Sequence, residues 1–436
     1  MTSALTLPAT AGGEPEPGDL LDDRGTLGCP AAYDPRPALD RFLAARGGHL
    51  IAVRRYIHAH PELSGQEFET AALIQRELTE AGLKPRLLPH GNGVICDIGT
   101  GDGPVVALRA DIDALPLPDT KDVPYRSTKP NVCHACGHDA HATILLGAGL
   151  MFAQLARAGR LPGRVRLLFQ PAEEQIMVRE DGLLTGAPEI IAAGGLKDVT
   201  RIFALHCNPQ LPAGTVGVRA GAFTAAADTV EVRITGPGGH TARPHLTVDL
   251  VHSLGRVLVD VPALLDRRVD ARGGVSLVFG AVRAGQAANT IPSEGWARGT
   301  VRTLSRETWR ELPALVTELV QSVVAGTGGT AHVSYTRGVP PVVNDSAATR
   351  LIADAATAVL GPQAVREAEV SMGGEDFAYY LETVPGAMIR LGVGRPGAAE
   401  TFDIHQSSFD IDESAIGHGV RVMVYTALAA LHEQTA

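Results

Sequence analysis

The residues most capable of chemistry lie in one short stretch, residues 134–141, which reads His-Ala-Cys-Gly-His-Asp-Ala-His. Five of its eight side chains can bind a metal ion or transfer a proton, and imidazole and thiolate ligands suit zinc and similar divalent ions. Cys133 and Cys136 have CxxC spacing, but no second CxxC pair completes a four-ligand structural zinc site. The alternative is that these histidines and cysteines are ordinary buried core residues. Their density in one short stretch favours a metal site.

Adjacent carboxylates at Glu173 and Glu174 follow an apolar run and a proline. Neighbouring residues at a strand end project in different directions. One carboxylate can therefore bind a metal while the other acts as a general base, which is the division of labour that metal-assisted hydrolysis requires. His206 follows another apolar run and His405 lies in a predicted loop, so both are further candidate ligands. The competing interpretations are that Glu173 and Glu174 lie on a solvated surface and that His206 is a structural histidine at a strand end.

The predicted elements would bring these residues together. Apolar runs that each lead into polar residues occur at 105–108, 165–169 and 202–205. Helical periodicity of apolar residues occurs at 37–55, 70–81 and 140–158. Continuous apolar strands alternating with helices indicate an α/β fold with a parallel or mixed sheet. Ligands bind such sheets at the carboxyl ends of the strands, which is where the candidate residues lie.

The remaining segments define the domain organisation. Residues 1–36 are rich in Pro, Gly, Asp and Glu and are predicted to form a flexible leader. A strand-helix-strand-strand-helix-strand order over 222–338 predicts a ferredoxin-like α+β domain. Because the α/β pattern resumes afterwards, we expect a discontinuous domain, 37–221 and 339–436, that is interrupted by this inserted domain.

Composition excludes several functions. The 436 residues carry 38 Lys and Arg against 48 Asp and Glu, a net charge of −10, so the chain lacks the basic field that nucleic-acid or anionic-membrane binding requires. Only 4% of residues are aromatic, which argues against a base-stacking platform. No run of 18 apolar residues and no signal-peptide pattern is evident. Five cysteines, an odd number, favour a reducing compartment. We therefore expect a cytoplasmic protein without nucleic-acid or membrane partners.

Five motifs in order along the chain together resemble the M20 metallopeptidase family. They are RADIDALPL (109–117), HACGHDAH (134–141), QPAEE (170–174), ALH (204–206) and GPGGHTARPH (236–245). The resemblance extends over about residues 40–430 and is strongest to the amidohydrolase branch: aminoacylases, hippurate hydrolases and hydrolases of auxin–amino acid conjugates. It implies a zinc-peptidase-like catalytic domain with a mixed, largely parallel sheet. It also implies a homodimer formed through 222–338, the inserted dimerisation or lid domain.

The resemblance also implies roles for individual residues. The positions that match ligands of a two-metal centre are Cys136, His138, Glu174, His206 and His405. The usual metals are zinc, manganese or cobalt. Glu173 matches the general base that assists attack of metal-bound hydroxide on an amide carbonyl. His240 matches a histidine that reaches the active site of the partner subunit and holds the oxyanion.

Further positions match residues around the substrate. Asn289 and Arg302 match polar residues that hold the substrate carboxylate, and Glu375 lies in a loop that resembles one near the site. We expect Asp111, Asp113 and Asp139 to orient the ligating or nearby histidines. His134 and His141 are candidates for residues that contact the ligands without binding metal.

These features predict a metal-dependent amidohydrolase that cleaves N-acyl-L-amino acids to a carboxylate and a free amino acid. A dipeptidase or carboxypeptidase of the same fold is one alternative, and an inactive metal-binding protein is another. The chain departs from the family pattern at 175–200, which is long and lacks the usual Gly-rich segment, and after His405, where Gln-Ser-Ser replaces Ser-Pro. Segment 175–200 borders the pocket in the family, so it bears on substrate range.

Overall fold

The computed structural model describes residues 34–101, 103–178, 184–397 and 401–435. They form two compact units. The first comprises the described residues up to Ala220 together with Asn344–Glu369 and those from Tyr380 onward, and the second comprises Gly221–Val343 and Val370–Tyr379. The predicted leader lies outside the described residues except for its last three positions. The predicted inserted domain falls within the second unit, which also takes in Gly221, 339–343 and 370–379.

The first unit is built on a central sheet flanked by helices. Its strands are β1 (Arg86–Leu87), β2 (Val94–Ile98), β3 (Val105–Asp111), β4 (Arg164–Gln170), β5 (Val199–Pro212), β6 (Val216–Val218), β15 (Val365–Glu367) and β16 (Gly386–Gly394). Its helices are α1 (Arg36–Ala59), α2 (Phe68–Glu80), α3 (His138–Arg157), α4 (Ala187–Ala192), α7 (Ser346–Leu360) and α9 (Ser414–Thr435), and α8 (Ala378–Leu381) spans a unit boundary.

The eight strands are arranged in the order β1-β2-β4-β3-β5-β16-β6-β15. The neighbouring pairs β3–β4, β3–β5, β5–β16 and β6–β15 are parallel, whereas β1–β2, β2–β4 and β6–β16 are antiparallel. The prediction of an α/β fold with a mixed, largely parallel sheet is therefore confirmed. Because β3, β4 and β5 run parallel side by side, the polar residues at or beyond their carboxyl ends are directed to one edge of the sheet.

Helix α3 lies at the centre of the first unit, and its small residues explain how other elements approach it. A Cβ atom on Gly147 would lie 2.9 Å from Leu50 of α1 and 2.8 Å from Val420 of α9. A Cβ atom on Gly149 would lie 2.5 Å from Leu167 of β4. Glycine at these two positions therefore permits close packing of the helices and the sheet around α3, although it weakens the helix locally.

Two helices of the described chain are long and apolar enough to cross a membrane. They are His138–Arg157, of whose most apolar window 89% is buried, and Ser414–Gln434, for which the buried share is 67%. Both helices contribute buried residues to the hydrophobic core of the first unit, which accounts for their composition.

The second unit contains an antiparallel four-stranded sheet in the order β10-β12-β8-β13. The strands of this unit are β7 (Gly221–Thr224), β8 (Ala227–Thr235), β9 (Gly239–His240), β10 (Val275–Ala284), β11 (Thr290–Ile291), β12 (Glu294–Thr303) and β13 (Thr330–Val339). Strand β14 (Val342–Asn344) spans the boundary at which the chain returns to the first unit. Helices α5 (Leu250–Leu265) and α6 (Arg306–Ala325) share a hydrophobic core with this sheet. The chain order β8-α5-β10-β12-α6-β13 is that of a ferredoxin-like unit.

The chain leaves the first unit and returns to it at adjacent points. Strands β7 and β14, which begin and end the long insertion, pair with each other. The Asn344 side chain donates hydrogen bonds to the carbonyl oxygens of Arg219, at 2.9 Å, and Met388, at 2.8 Å. The Asn344 Oδ1 atom accepts the Met388 N–H at 2.9 Å. Asn344 therefore fastens both ends of the insertion to β16.

Candidate metal centre

The candidate ligands come from loops that follow the central strands, from the first residue of α3, and from strand β5 itself, because His206 lies within β5 and not at a strand end as predicted. Gly137 separates Cys136 from His138 and has a φ of +86°, a conformation that residues with a Cβ rarely adopt. A Cβ atom there would also lie 2.9 Å from the Cys207 Sγ atom. Glycine therefore allows the chain to turn sharply into α3 and to place a thiol and an imidazole on either side of the turn.

The structure brings all five predicted ligands together. Cys136 Sγ lies 3.4 Å from His206 Nε2, and His405 Nε2 lies 3.2 Å from Glu174 Oε1. His138 Nε2 lies 3.9 Å from the same Glu174 oxygen. The trios Cys136–His138–His206 and Cys136–Glu174–His405 each hold their ligand atoms within 4.8 Å of one another. His405 and Glu174, which are far apart in sequence, thus share one cluster with the 136–138 turn.

Hydrogen bonds set which nitrogen of each buried histidine faces the cluster. His206 donates from Nδ1 to the Cys207 carbonyl at 2.8 Å, which leaves Nε2 unprotonated toward Cys136. His138 donates from Nδ1 to Asp113, with both the backbone oxygen and Oδ1 at 3.0 Å. Its Nε2 is buried and has no hydrogen-bond partner among the described residues. A buried imidazole nitrogen that lacks a partner is costly unless a metal ion or a donor completes it.

The charges around the cluster favour a cation at this point. Burial alone would lower the pKa of His138, but Asp111, Asp113 and Glu174 raise it to about 10. Burial and then the carboxylates of Glu174 and Glu173 raise the pKa of the Cys136 thiol well above its usual value, so a thiolate there requires a cation beside it. Sulfur, nitrogen and carboxylate donors together suit zinc and related divalent ions. The residues present therefore fit the implied metals.

Glu173 lies on the same side of the cluster as Glu174. Its Oε2 atom is 4.0 Å from His138 Nε2, and the trio His138–Glu173–Glu174 holds its ligand atoms within 4.8 Å. Both carboxylates are partly accessible, whereas the His138 ring is fully buried. This arrangement places a second carboxylate beside the cluster at the solvent-accessible side, which is the placement that a general base needs.

His141 is held in one orientation beside the cluster. It donates from Nδ1 to Asp111 Oδ1 at 2.6 Å, and its Nε2 accepts the Cys207 N–H at 2.8 Å. Both ring nitrogens are thus engaged within the protein. Asp111 Oδ2 accepts from Arg109 at 2.6 Å and lies 3.7 Å from His138 Nε2. Burial opposes ionisation of Asp111, but His138, His141 and Arg109 hold its pKa well below the ordinary value.

Asp139 takes part in a different buried network. Its Oδ2 atom accepts from Arg54 Nε at 2.7 Å and lies 2.7 Å from His58 Nδ1. Asp139 therefore contacts His58 and not one of the predicted ligands. It follows His138 in α3, and successive residues of a helix project about 100° apart. His134 is buried, with its ring centre 6.3 Å from that of His58, and burial lowers its pKa to about 3.

Four of the predicted site residues belong to the second unit. His240 is exposed on β9 and pairs with Thr290 of β11, which places it beside Asn289. The His240 Nδ1 atom accepts the Ala242 N–H at 3.0 Å, so its Nε2 carries the proton and can donate. Arg302 donates to the Met372 carbonyl. Glu375, which is buried, accepts the Phe377 N–H at 3.0 Å.

Sequence patterns do not identify a group of polar residues that surrounds the Glu173–Glu174 turn. Glu67 is fully buried, and its Oε1 atom accepts the backbone N–H groups of Gly65 and Ala172, each at 2.8 Å. The Asn92 amide lies 3.4 Å from the other Glu67 oxygen. The only signal in the sequence is that Glu67 is an acidic residue just before a predicted helix. Acidic residues are common there, because a negative charge near the N-terminus stabilises a helix.

Glu67 should make the stability of the fold depend on pH. Burial and then the Asp113 charge raise its pKa to about 8 from the ordinary 4.5. Between these values the folded protein keeps a proton that the unfolded chain has lost, so rising pH destabilises the fold, by up to about 5 kcal/mol at pH 8. We expect the Glu67→Gln variant to unfold at higher urea concentration than the wild type at pH 8, with a smaller gap at pH 5. A gap that is equal at both pH values would contradict this origin.

Known proteins resemble the chain over most of its length. The sequence profile of the peptidase family M20/M25/M40 matches residues 107–429. An N-acetylcysteine deacetylase of Bacillus subtilis is 37% identical over 369 residues, which cover 84% of this chain and 93% of that protein. A Rhodococcus jostii protein named glutamate–cysteine ligase 2-3 is 47% identical over 88% of this chain, but the match spans only 47% of that longer protein.

A solved structure has the same architecture. The crystal structure of Bacillus subtilis YXEP, described as a dinuclear metal-binding peptidase of the M20 family, matches with a TM-score of 0.76 and 34% identity. The match covers 89% of this chain and 99% of that one. The resemblance proposed from the motifs is thereby confirmed, and the chain belongs to the peptidase family M20/M25/M40.

Proposed function

We propose that this protein is a metal-dependent amidohydrolase that cleaves N-acyl-L-amino acids to a carboxylate and a free amino acid. Metal-dependent amide hydrolysis is supported by the family and by the N-acetylcysteine deacetylase relative. The observation that carries the proposal is the convergence of Glu173 and Glu174 on His138 Nε2, which no described residue satisfies with a hydrogen bond. Adjacent carboxylates beside a thiol and imidazoles supply both ligands and a base in one place.

We assign two divalent ions, zinc, manganese or cobalt, to five residues: Cys136, His138, Glu174, His206 and His405. Such ions act as Lewis acids and lower the pKa of water toward neutrality. Glu173 accepts the proton of the attacking water and passes it to the leaving nitrogen. Asp113 and the Cys207 carbonyl keep the His138 and His206 rings in place through their Nδ1 atoms.

The second unit contributes the remaining assignments. We propose that His240 of one protomer donates to the oxyanion in the site of its partner, which agrees with an exposed ring whose Nδ1 already accepts a hydrogen bond. Asn289 and Arg302 would hold the substrate carboxylate, since an arginine can grip a carboxylate with two hydrogen bonds. Glu375 would lie near the substrate.

A homodimer through the second unit is part of the proposal. Val251 and Val259 of α5 are 54% and 70% exposed, and Val278 and Val282 of the edge strand β10 are 60% and 53% exposed. Apolar side chains on an edge strand and an adjacent helix are typical of an interface. The described cysteines are all free, in agreement with the proposed cytoplasmic location.

A substrate panel tests the reaction and its runner-up. The metal-free protein would be reconstituted with zinc, manganese or cobalt and assayed on N-acetyl and N-aroyl amino acids and on dipeptides. We expect kcat/KM for an N-acyl amino acid to exceed that for every dipeptide, and a chelator to remove the activity. Higher kcat/KM for dipeptides would favour the dipeptidase, and hydrolysis that resists the chelator would contradict the metal-dependent mechanism.

A further inference from the structure

We propose that Ser64 and Glu67 are positioning residues that hold the Glu173–Glu174 turn in its working conformation. Neither residue belongs to the proposed ligands or to the catalytic groups. The inference rests on the proposed function, because it concerns the base and a ligand assigned there. Its physical basis is a set of buried side-chain contacts with the backbone of 172–174.

The turn that precedes Glu173 is conformationally unusual. Ala172 has a φ of +52°, in the left-handed region that residues with a Cβ occupy only at an energetic cost. Its N–H is donated to Glu67 Oε1 at 2.8 Å, and the same oxygen accepts the Gly65 N–H at 2.8 Å. Because Glu67 is fully buried, this contact is shielded from water. Glu67 therefore fixes the backbone at the residue directly before the proposed base.

Ser64 acts on the next part of the same turn through Asp113. The Ser64 hydroxyl donates to Asp113 Oδ2 at 2.6 Å, and that oxygen also accepts the Glu174 N–H at 3.0 Å. The other Asp113 oxygen lies 3.0 Å from His138 Nδ1. One serine hydroxyl thus orients the carboxylate that holds both the backbone of Glu174 and the ring of His138. Groups that orient ligands in this way tune metal affinity.

Glu62, a nearby residue, provides a matched control. It is also a buried glutamate that accepts two backbone N–H groups, those of Glu69 at 3.1 Å and Thr70 at 2.8 Å. Those groups belong to the first turn of α2 and not to the turn at 172–174. Glu62 therefore stabilises a helix start, whereas Glu67, five residues later, holds the turn that carries the two carboxylates.

The main test compares metal affinity among purified variants. Zinc affinity would be measured by competition with a chromogenic chelator, alongside kcat and KM for an N-acyl amino acid. We expect Ser64→Ala and Glu67→Ala to weaken zinc binding by about 10- to 100-fold and to lower kcat by a similar factor, with KM little changed. The Glu67→Gln variant should stay close to the wild type, because its amide oxygen still accepts both N–H groups. The Glu62→Ala variant should lose stability and keep its zinc affinity and kcat.

A double-mutant cycle sharpens the test. Glycine adopts a positive φ without the Cβ penalty, so Ala172→Gly should reduce the loss that Glu67→Ala causes in zinc affinity and kcat. Zinc affinity that is unchanged in both Ser64→Ala and Glu67→Ala, or equally reduced in Glu62→Ala, would overturn the inference. If the Glu67→Ala variant does not fold, the zinc affinity and kcat of the Ser64→Ala variant test the inference alone. If the wild type hydrolyses no N-acyl amino acid, the proposed function fails, and the zinc affinities still test the positioning role.

Discussion

The Glu173→Gln variant is expected to lose amide hydrolysis by about 10²- to 10⁴-fold, the usual contribution of a general base, while it retains its metal ions. Glutamine has nearly the same shape as glutamate but cannot accept a proton. The proposed ligand at this point is the neighbouring residue, Glu174, so the metal centre should survive the change. The measurements are kcat on an N-acyl amino acid and metal content per protomer by elemental analysis.

The matched control is the same substitution one residue later. Glu174 Oε1 lies 3.2 Å from His405 Nε2 and 3.9 Å from His138 Nε2, and the loss of its charge should weaken metal binding. Activity of Glu174→Gln should therefore recover as metal concentration rises, whereas activity of Glu173→Gln should not. Substantial activity in Glu173→Gln, or equal metal loss in both variants, would contradict the assignment of base and ligand.

Two inactive variants should restore activity when their chains are mixed. The His240→Ala variant should lose about 10²- to 10³-fold in kcat, the usual effect of removing one oxyanion donor. If His240 serves the site of the partner, a mixed dimer with Glu173→Gln contains one site with both residues intact. Random mixing makes half of the dimers mixed, with one intact site of two, so about a quarter of wild-type activity should return.

Controls separate this exchange from other effects. His245→Ala removes another exposed histidine of the same segment and should keep wild-type activity. A chain that carries both His240→Ala and Glu173→Gln should not complement His240→Ala, because no site could then combine an intact His240 with an intact Glu173. A mixture of the single variants that stays inactive, although tagged chains show that subunits exchange, would rule out action across the dimer.

Apolar runs predicted the central strands, and pairing determined their true lengths. The sequence predicts a strand over 202–205, whereas β5 extends over Val199–Pro212. Its polar second half continues as a strand because β16 pairs with it through Asn208 and beyond. Long-range pairing of this kind leaves no local periodicity. By contrast, α2 was predicted within two residues at either end, because Gly82 has the positive φ of +75° that is typical of a helix end.

The candidate site could be predicted where the chemistry is concentrated in one segment. The residues of the 134–141 stretch and the Glu173–Glu174 pair stand out by type and spacing, and the structure brings them together. Glu67 and Ser64 do not stand out, because their contacts with Ala172 and Asp113 are side-chain hydrogen bonds across 105 and 49 positions. No pattern along the chain encodes such contacts.

The adjacent exit and return of the chain at Arg219 and Asn344 have an evolutionary consequence. One asparagine side chain binds the carbonyl of Arg219 and the backbone of β16, so residues 221–343 leave and re-enter the first unit at adjacent points, whereas Val370–Tyr379 join the second unit separately. A coding segment for 221–343 could be gained, lost or exchanged there by one recombination event, without a change in the order of the eight host strands. Such an exchange would replace the segments that carry His240, Asn289 and Arg302, so under the proposed function it would change the substrate range and leave the proposed metal ligands in place.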